Sequence, residues 1–230
     1  MKIMTNKFLA ITSYILAIVF VAVYALADII SGVILSTAAR LLLLCLVCGF
    51  LWLGGVIFTK ITGENSPMRI NLWIFLGLFL LLFAQLTLFD PVWGRNGGFG
   101  ISWDKELFDA YVENSVNLIP FKTIAEFFAK GDLRLFAVNI IGNLVCLMPL
   151  GILLLLVSKK QNNTAVFMLT VSLIIILVEL LQFVTLAGSC DVDDLILNLA
   201  GATAVYLIAK TDKIQKILRY LFLLEKREQV

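Results

Sequence analysis

Long apolar runs separated by short polar stretches dominate this chain. A helix rises about 1.5 Å per residue, so about 20 apolar residues are needed to cross about 30 Å of hydrocarbon. Six segments meet or approach that length: Phe8 to Ala27, Leu35 to Phe58, Ile70 to Phe89, Leu135 to Val157, Val166 to Leu186, and Val192 to Ala209. The last two carry acids and amides and would fail a strict hydropathy cut-off, but their polar residues fall on few helical faces. The pattern predicts an all-α, polytopic transmembrane helix bundle of about six spans. Met1 to Lys7 followed by an apolar run imitates a secretion signal. The run is too long for one and lacks a clear small-residue cleavage site, which predicts a retained first helix.

Charge then orients the bundle. With the N-terminus in the cytoplasm and the helices alternating, segments 1–7, 59–69, 158–165 and 210–230 face inward and hold 12 of the 18 Lys and Arg residues. Each short inward loop is basic, as the positive-inside rule requires, so both termini are expected in the cytoplasm. The organisation follows: three transmembrane helices in 1–90, an extracellular loop in 91–134, three transmembrane helices in 135–209, and a basic amphipathic tail in 210–230. The loop opens with PVWGRNGGFGISW, expected to be irregular at the headgroup level. It continues with Phe121, Ile124, Phe127 and Phe128 at helical spacing, expected to lie on the membrane as an amphipathic segment. In the tail, Ile214, Ile217, Leu218 and Leu221 share one face, with Lys213, Lys216 and Arg219 interleaved, which fits a helix on the cytoplasmic leaflet.

Composition narrows the chemistry. Of the 230 residues 61% are hydrophobic and 15% charged, which excludes disorder, a coiled coil and a disulfide scaffold. A net charge of +2 gives no footprint for nucleic acid. The chain has no His, so most zinc sites and Ser-His-Asp triads cannot be built. Cys45 and Cys48 form a CxxC, but without a second pair they read, like Cys146, as small apolar helix residues, and Cys190 sits alone in a polar turn.

Carboxylates and amides remain, and they cluster. Asn139 and Asn143 lie on one face of the fourth span, followed by Pro149 and Gly151. Glu179 and Gln182 sit in the fifth, and Asp191, Asp193, Asp194 and Asn198 open the sixth. Asp191, Asp194 and Asn198 follow an i, i+3, i+7 stripe. In the orientation above, most of these residues share the outer half of the bilayer. An acid in hydrocarbon costs several kcal/mol, about 2.5–3.5 even on lenient scales, so an intramembrane acid is a functional candidate by default. Plainer roles compete: the amides as interhelical hydrogen-bond donors, the aspartates as caps of the sixth helix. Glu179, several residues inside an apolar run, has no cap role and must be protonated, paired or facing a polar cavity. Hard carboxylates with amide oxygens would suit Mg or Ca rather than zinc, and no other cofactor is implied. Asp28, Arg40 and Arg134 are further outer-surface candidates, each explained as readily by an interfacial position.

At these residues the chain resembles the VanZ-like family. The resemblance is carried by NLIPF (Asn117 to Phe121), NIIGNLVCLMPLG (Asn139 to Gly151), ELLQ (Glu179 to Gln182) and CDVDDLILNLAGA (Cys190 to Ala202), in matching order and spacing over roughly Asn117 to Ile208. The first 90 residues match only as generic membrane helices. The resemblance implies a bacterial plasma-membrane protein of the type associated with resistance to teicoplanin and other lipoglycopeptides. It maps the family's motif onto Asn117, Pro120, Asn139, Asn143, Pro149, Gly151, Glu179, Gln182, Asp191, Asp194, Asn198 and Gly201. Many members carry a base shortly before the first aspartate, where this chain has Ala187, Gly188, Ser189 and Cys190.

Three functions are consistent with this pattern. The first is an outward-facing polar pocket, formed by Asn117, Asn139, Asn143, Glu179, Gln182, Asp191, Asp194 and Asn198, that binds a cell-envelope lipid, a cell-wall lipid precursor or a lipidated glycopeptide. The second is a membrane enzyme acting on a polyprenyl-linked or phospholipid substrate through Glu179 and Asp191 or Asp194. The chain shows no nucleophile beside a base and no Gly-rich phosphate cradle for that chemistry. The third, a small transporter, lacks visible inverted repeats.

Overall fold

The computed structural model describes residues 2–27, 35–88, 104–186 and 188–224. Asp28, Ala187 and the PVWGRNGGFGISW segment lie outside the described residues. In chain order the elements are α1 (Lys2–Ala25), α2 (Thr37–Thr62), α3 (Ser66–Leu88), α4 (Lys105–Ser115), β1 (Val116–Asn117), α5 (Lys122–Lys130), α6 (Leu133–Phe136), a π-helical turn (Ala137–Ile141), α7 (Gly142–Cys146), α8 (Met148–Val157), a 3-10 turn (Lys159–Asn162), α9 (Thr164–Thr185), β2 (Cys190–Asp191), α10 (Val192–Ala209) and α11 (Asp212–Leu221). Six helical segments are long and apolar enough to cross a membrane: Met4–Ala25, Thr37–Thr62, Ser66–Leu88, Ala137–Val157, Thr164–Thr185 and Val192–Ala209. The chain is an all-α polytopic membrane protein. Its spans leave large apolar side chains exposed, among them Phe8, Ile18, Leu42, Leu81, Leu169 and Leu177, as a hydrocarbon solvent permits.

The helices divide into two compact units, one of residues 1–78 and 212–230, the other of residues 79–211. In the first unit α1 packs along α2 through small residues. Ala10, Ser13 and Ala17 are buried at helical spacing, and Phe20 stacks on Phe50 with ring centroids 5.6 Å apart. One buried amide, Asn71, holds the start of α3 by donating to the Leu51 carbonyl (2.6 Å) and to the Tyr14 hydroxyl (3.2 Å). Trp52 donates its indole N–H to the Leu221 carbonyl at the end of α11 (3.0 Å).

The second unit is built around α10, which packs on α7, α8 and α9. Its closest approaches are made possible by glycine. A Cβ at Gly151 would come within 2.7 Å of the Ala202 carbonyl oxygen and the Tyr206 nitrogen, and one at Gly201 would overlap the Leu144 carbonyl oxygen. These are backbone-to-backbone crossings of the small-residue kind that membrane helices use in place of a hydrophobic drive. Further along, Tyr206 stacks on Phe167 (4.0 Å) and donates to the Gln161 or Asn162 carbonyl (3.0 Å each), tying α10 to the turn before α9.

Two features depart from the sequence expectation. The fourth span is segmented rather than one straight helix. Pro149 stands in the first turn of α8, where its missing N–H is tolerated, and the helix breaks before it at Leu147 (φ −98°, ψ 5°). The π turn precedes that break, with the Gly142 N–H donating to the Ala137 carbonyl. The second departure is α4, an element absent from the expected layout. Asp104 caps it, accepting from the Glu106 N–H (3.1 Å). Phe108 and Tyr111 of α4 meet Phe183 of α9 edge-on at 5.8 and 6.1 Å.

The glycine crossing gives a stability prediction. Gly201→Ala forces α10 and α7 apart and should destabilise the protein by about 1–3 kcal/mol or more, the usual cost of overpacking. Thermal unfolding of the detergent-solubilised variant checks this. Ala200→Leu, at the exposed position next to it, should leave the midpoint unchanged.

Candidate functional site

The site lies in the second unit, where a short parallel pairing joins segments far apart in sequence. β1 pairs with β2, Val116 opposite Cys190 and Asn117 opposite Asp191. That register places the NLIPF motif against the CDVDD motif, and the side chains complete the junction. Asn117 donates through Nδ2 to Asp191 Oδ1 (2.9 Å) and to Thr123 Oγ1 (3.0 Å). Thr123 Oγ1 in turn donates to Asp191 Oδ2 (2.6 Å). Asp191 is also the N-cap of α10, accepting the Asp193 N–H at Oδ1 (2.8 Å).

Asp193 does something different. It is 1% exposed and sits in the first turn of α10, yet its carboxylate caps another helix. The Phe121 N–H donates to Oδ1 (2.5 Å) and the Ile124 N–H to Oδ2 (3.1 Å). These are N–H groups at the start of α5 that have no partner within the helix. Phe121 reaches this position with a left-handed backbone (φ 65°), costly for a residue with a Cβ. Asp193 thus fastens α5 to the sixth span.

The other predicted residues separate into two groups. Asn143 donates to Asp194 Oδ1, and Glu179 Oε2 accepts the Asp191 N–H (3.0 Å), so both stand at the same junction. Asn139 is carried by the π turn. Gln182, one turn beyond Glu179, points elsewhere: it is buried and donates to the Thr87 carbonyl at the end of α3 (3.0 Å). Asn198 is buried and donates to the Asp194 carbonyl within its own helix (2.8 Å), leaving its Oδ1 unpartnered among the described residues.

Over this junction lies a cavity of about 260 Å³. Its walls come from the end of α4 (Glu113, Asn114, Ser115), from β1 (Val116, Asn117), from α5 (Lys122, Thr123, Glu126, Phe127), from the π turn (Asn139, Ile140), from Ser189 and Asp191, and from α10 (Asp193, Asp194, Leu197). Asn117, Asn139, Asp191 and Asp194 therefore line it. Asn143 and Glu179 contact its walls, and Gln182 and Asn198 do not border it. Sequence pattern placed Asp193 in the acid cluster but not among the pocket residues, and it missed Thr123, Lys122, Glu126, Glu113 and Ser189. The only available signal for Asp193 was its place in a run of three aspartates too long for one cap.

A family model described as VanZ/LLP1 matches residues 74–217. The chain belongs to the VanZ-like family. The match begins inside α3, upstream of the motif region, so the third span is part of the family unit rather than a generic membrane helix. No curated protein sequence and no solved structure matches the chain.

Chemically, the VanZ-like motif here builds a scaffold of acceptors before it builds anything else. Both oxygens of Asp191 and both of Asp193 already receive N–H or O–H donors. Among the described residues no three carboxylate or thiol groups are placed to hold a metal ion. Cys190, outside the spanning segments, has its thiol pushed above the ordinary value, first by burial and then by the negative charges of Glu179, Asp191 and Asp194.

Two predictions follow from this geometry. Asp193→Ala leaves the Phe121 and Ile124 N–H groups without acceptors. It should cost about 1–3 kcal/mol per orphaned group and accelerate amide hydrogen exchange in α5 while leaving α1 and α2 protected. A raised Cys190 pKa means less thiolate at pH 8. Maleimide should label Cys190 more slowly than a free thiol there, with the rate still climbing above pH 9, and Glu179→Gln should speed it.

Proposed function

We propose that the cavity holds the polar headgroup of a cell-envelope lipid on the outer side of the bacterial plasma membrane. We further propose that this underlies reduced susceptibility to glycopeptides with an acyl tail, such as teicoplanin. The observation that carries this is the cavity of about 260 Å³, walled by polar residues and bordered by α5. Lys122, Thr123, Glu126 and Phe127 of α5 line the cavity, whereas Phe121 and Phe128 are exposed on its opposite face, with Leu118 and Ile119 exposed just before it. Such a helix suits the boundary between headgroups and acyl chains. A headgroup taken from that layer would reach the polar wall without leaving it. The basic short loops support outer placement, since the positive-inside rule favours cytoplasmic termini.

Binding is favoured over catalysis because the acids named for an enzyme already accept hydrogen bonds, Asp194 from Asn143 among them. Asp191 and Asp193 accept structural hydrogen bonds, and Glu179 accepts a backbone N–H. A lipid-holding role also gives selectivity a physical basis. An acyl-tailed glycopeptide concentrates in the outer leaflet, where the cavity would lie, and vancomycin, which has no tail, does not.

Expression in a susceptible Gram-positive host tests this. The inhibitory concentration of teicoplanin should rise selectively over that of vancomycin, and Asn139→Ala and Glu179→Ala should each remove the rise while membrane levels stay constant. An equal rise for both drugs, or a rise that survives both substitutions, contradicts the proposal.

A further inference from the structure

The charge around the cavity is one-sided. Glu113 and Glu126 line it from exposed positions and Asp194 from the α10 wall, whereas Lys122 is the one base among its described lining residues. A phosphate would normally be sought at helix N-termini, where free N–H groups and the dipole welcome an anion. Two helices start at this cavity, and each N-terminus is already filled by a carboxylate of the chain itself. Asp193 occupies the start of α5, and Asp191 occupies the start of α10. At the same junction the Cys190 thiol is pushed up first by burial and then by the negative charges of Glu179, Asp191 and Asp194. Asn139, Ser189 and Asn114 supply neutral groups that suit hydroxyls or amides.

From this we infer that the cavity takes a primary ammonium group carried on a hydroxyl- or amide-bearing body, and disfavours a phosphate. The inference rests on the headgroup-binding function proposed above and names the chemistry of that headgroup. The ammonium is held by Glu113 and Glu126, with Asp194 deeper in the same field. The filled helix N-termini exclude an anion by like-charge repulsion, and the neutral amides and hydroxyls meet the rest of the ligand. Both an amine-bearing lipid and an amine-bearing solute carry this chemistry.

The test uses the purified full-length protein in detergent micelles, with binding read by native mass spectrometry. Three dodecyl amphiphiles serve as probes: a glucosaminide, its N-acetylated counterpart and a phosphate. The glucosaminide should bind about tenfold more tightly than the other two, the scale expected of two partly exposed ion pairs. The double variant Glu113→Gln, Glu126→Gln, altered only at exposed positions, should bind glucosaminide and N-acetylglucosaminide about equally. Free glucosamine binding as well as its amphiphile would support a soluble amine as the natural ligand, and weaker binding would support a lipid headgroup. Equal binding of the N-acetylated probe to the unaltered protein, tighter binding of the phosphate, or a preference unmoved by the double variant would overturn the ammonium assignment while leaving a headgroup site in place. Failure of all three probes to bind would overturn both.

Discussion

Everything at the candidate site depends on where two carboxylates place their oxygens. Asp191 and Asp193 sit two residues apart at the start of α10, and between them they serve two helices and a strand pairing. Asp191 closes α10 and receives Asn117 and Thr123, while Asp193 closes α5 from outside. Desolvating an acid near hydrocarbon costs several kcal/mol, and charge-assisted hydrogen bonds to otherwise orphaned N–H groups are what offset it. The acids are therefore tolerated because they hold the amphipathic segment against the spans. The cavity exists because that segment is held.

This alters the meaning of the motif. NLIPF and CDVDD resemble separate ligand-binding sequences, but in the fold they are two halves of one junction, with NLIPF supplying donors and CDVDD supplying acceptors. Gly151 and Gly201 complete the logic from below, since α10 cannot approach α7 and α8 closely with any larger residue. The π turn and the break at Leu147 then let the segmented fourth span carry Asn139 to the cavity and still continue as α8. Much of the cavity's charged lining comes from residues outside the motif, such as Glu113, Lys122 and Glu126.

How much of this was legible depended on the range of each signal. The six spans were readable because a run of about 20 apolar residues is a local, one-dimensional property. The amphipathic α5 was readable from Phe121, Ile124, Phe127 and Phe128 for the same reason. The shorter α4 was missed, although Asp104 as a cap and Leu107, Phe108 and Tyr111 at helical spacing were there to be read. Pro149 announced a disturbance in the fourth span, but no residue type announces a π turn. The partners of Asp193 were beyond reach: they lie 72 and 69 residues away, and only the fold brings them together. Glu179 and Gln182 show the converse, since neighbours on one helix serve different contacts, Asp191 and Thr87.

The central claim is an outward-facing cavity latched beneath α5, and side-specific labelling tests it most directly. In a background with Cys45, Cys48, Cys146 and Cys190 replaced by Ser, the variant Glu126→Cys would be exposed on intact cells to a membrane-impermeant maleimide. The account predicts rapid labelling from outside, with no increase when the cells are made permeable. Labelling only after permeabilisation would place the cavity on the cytoplasmic side and contradict it.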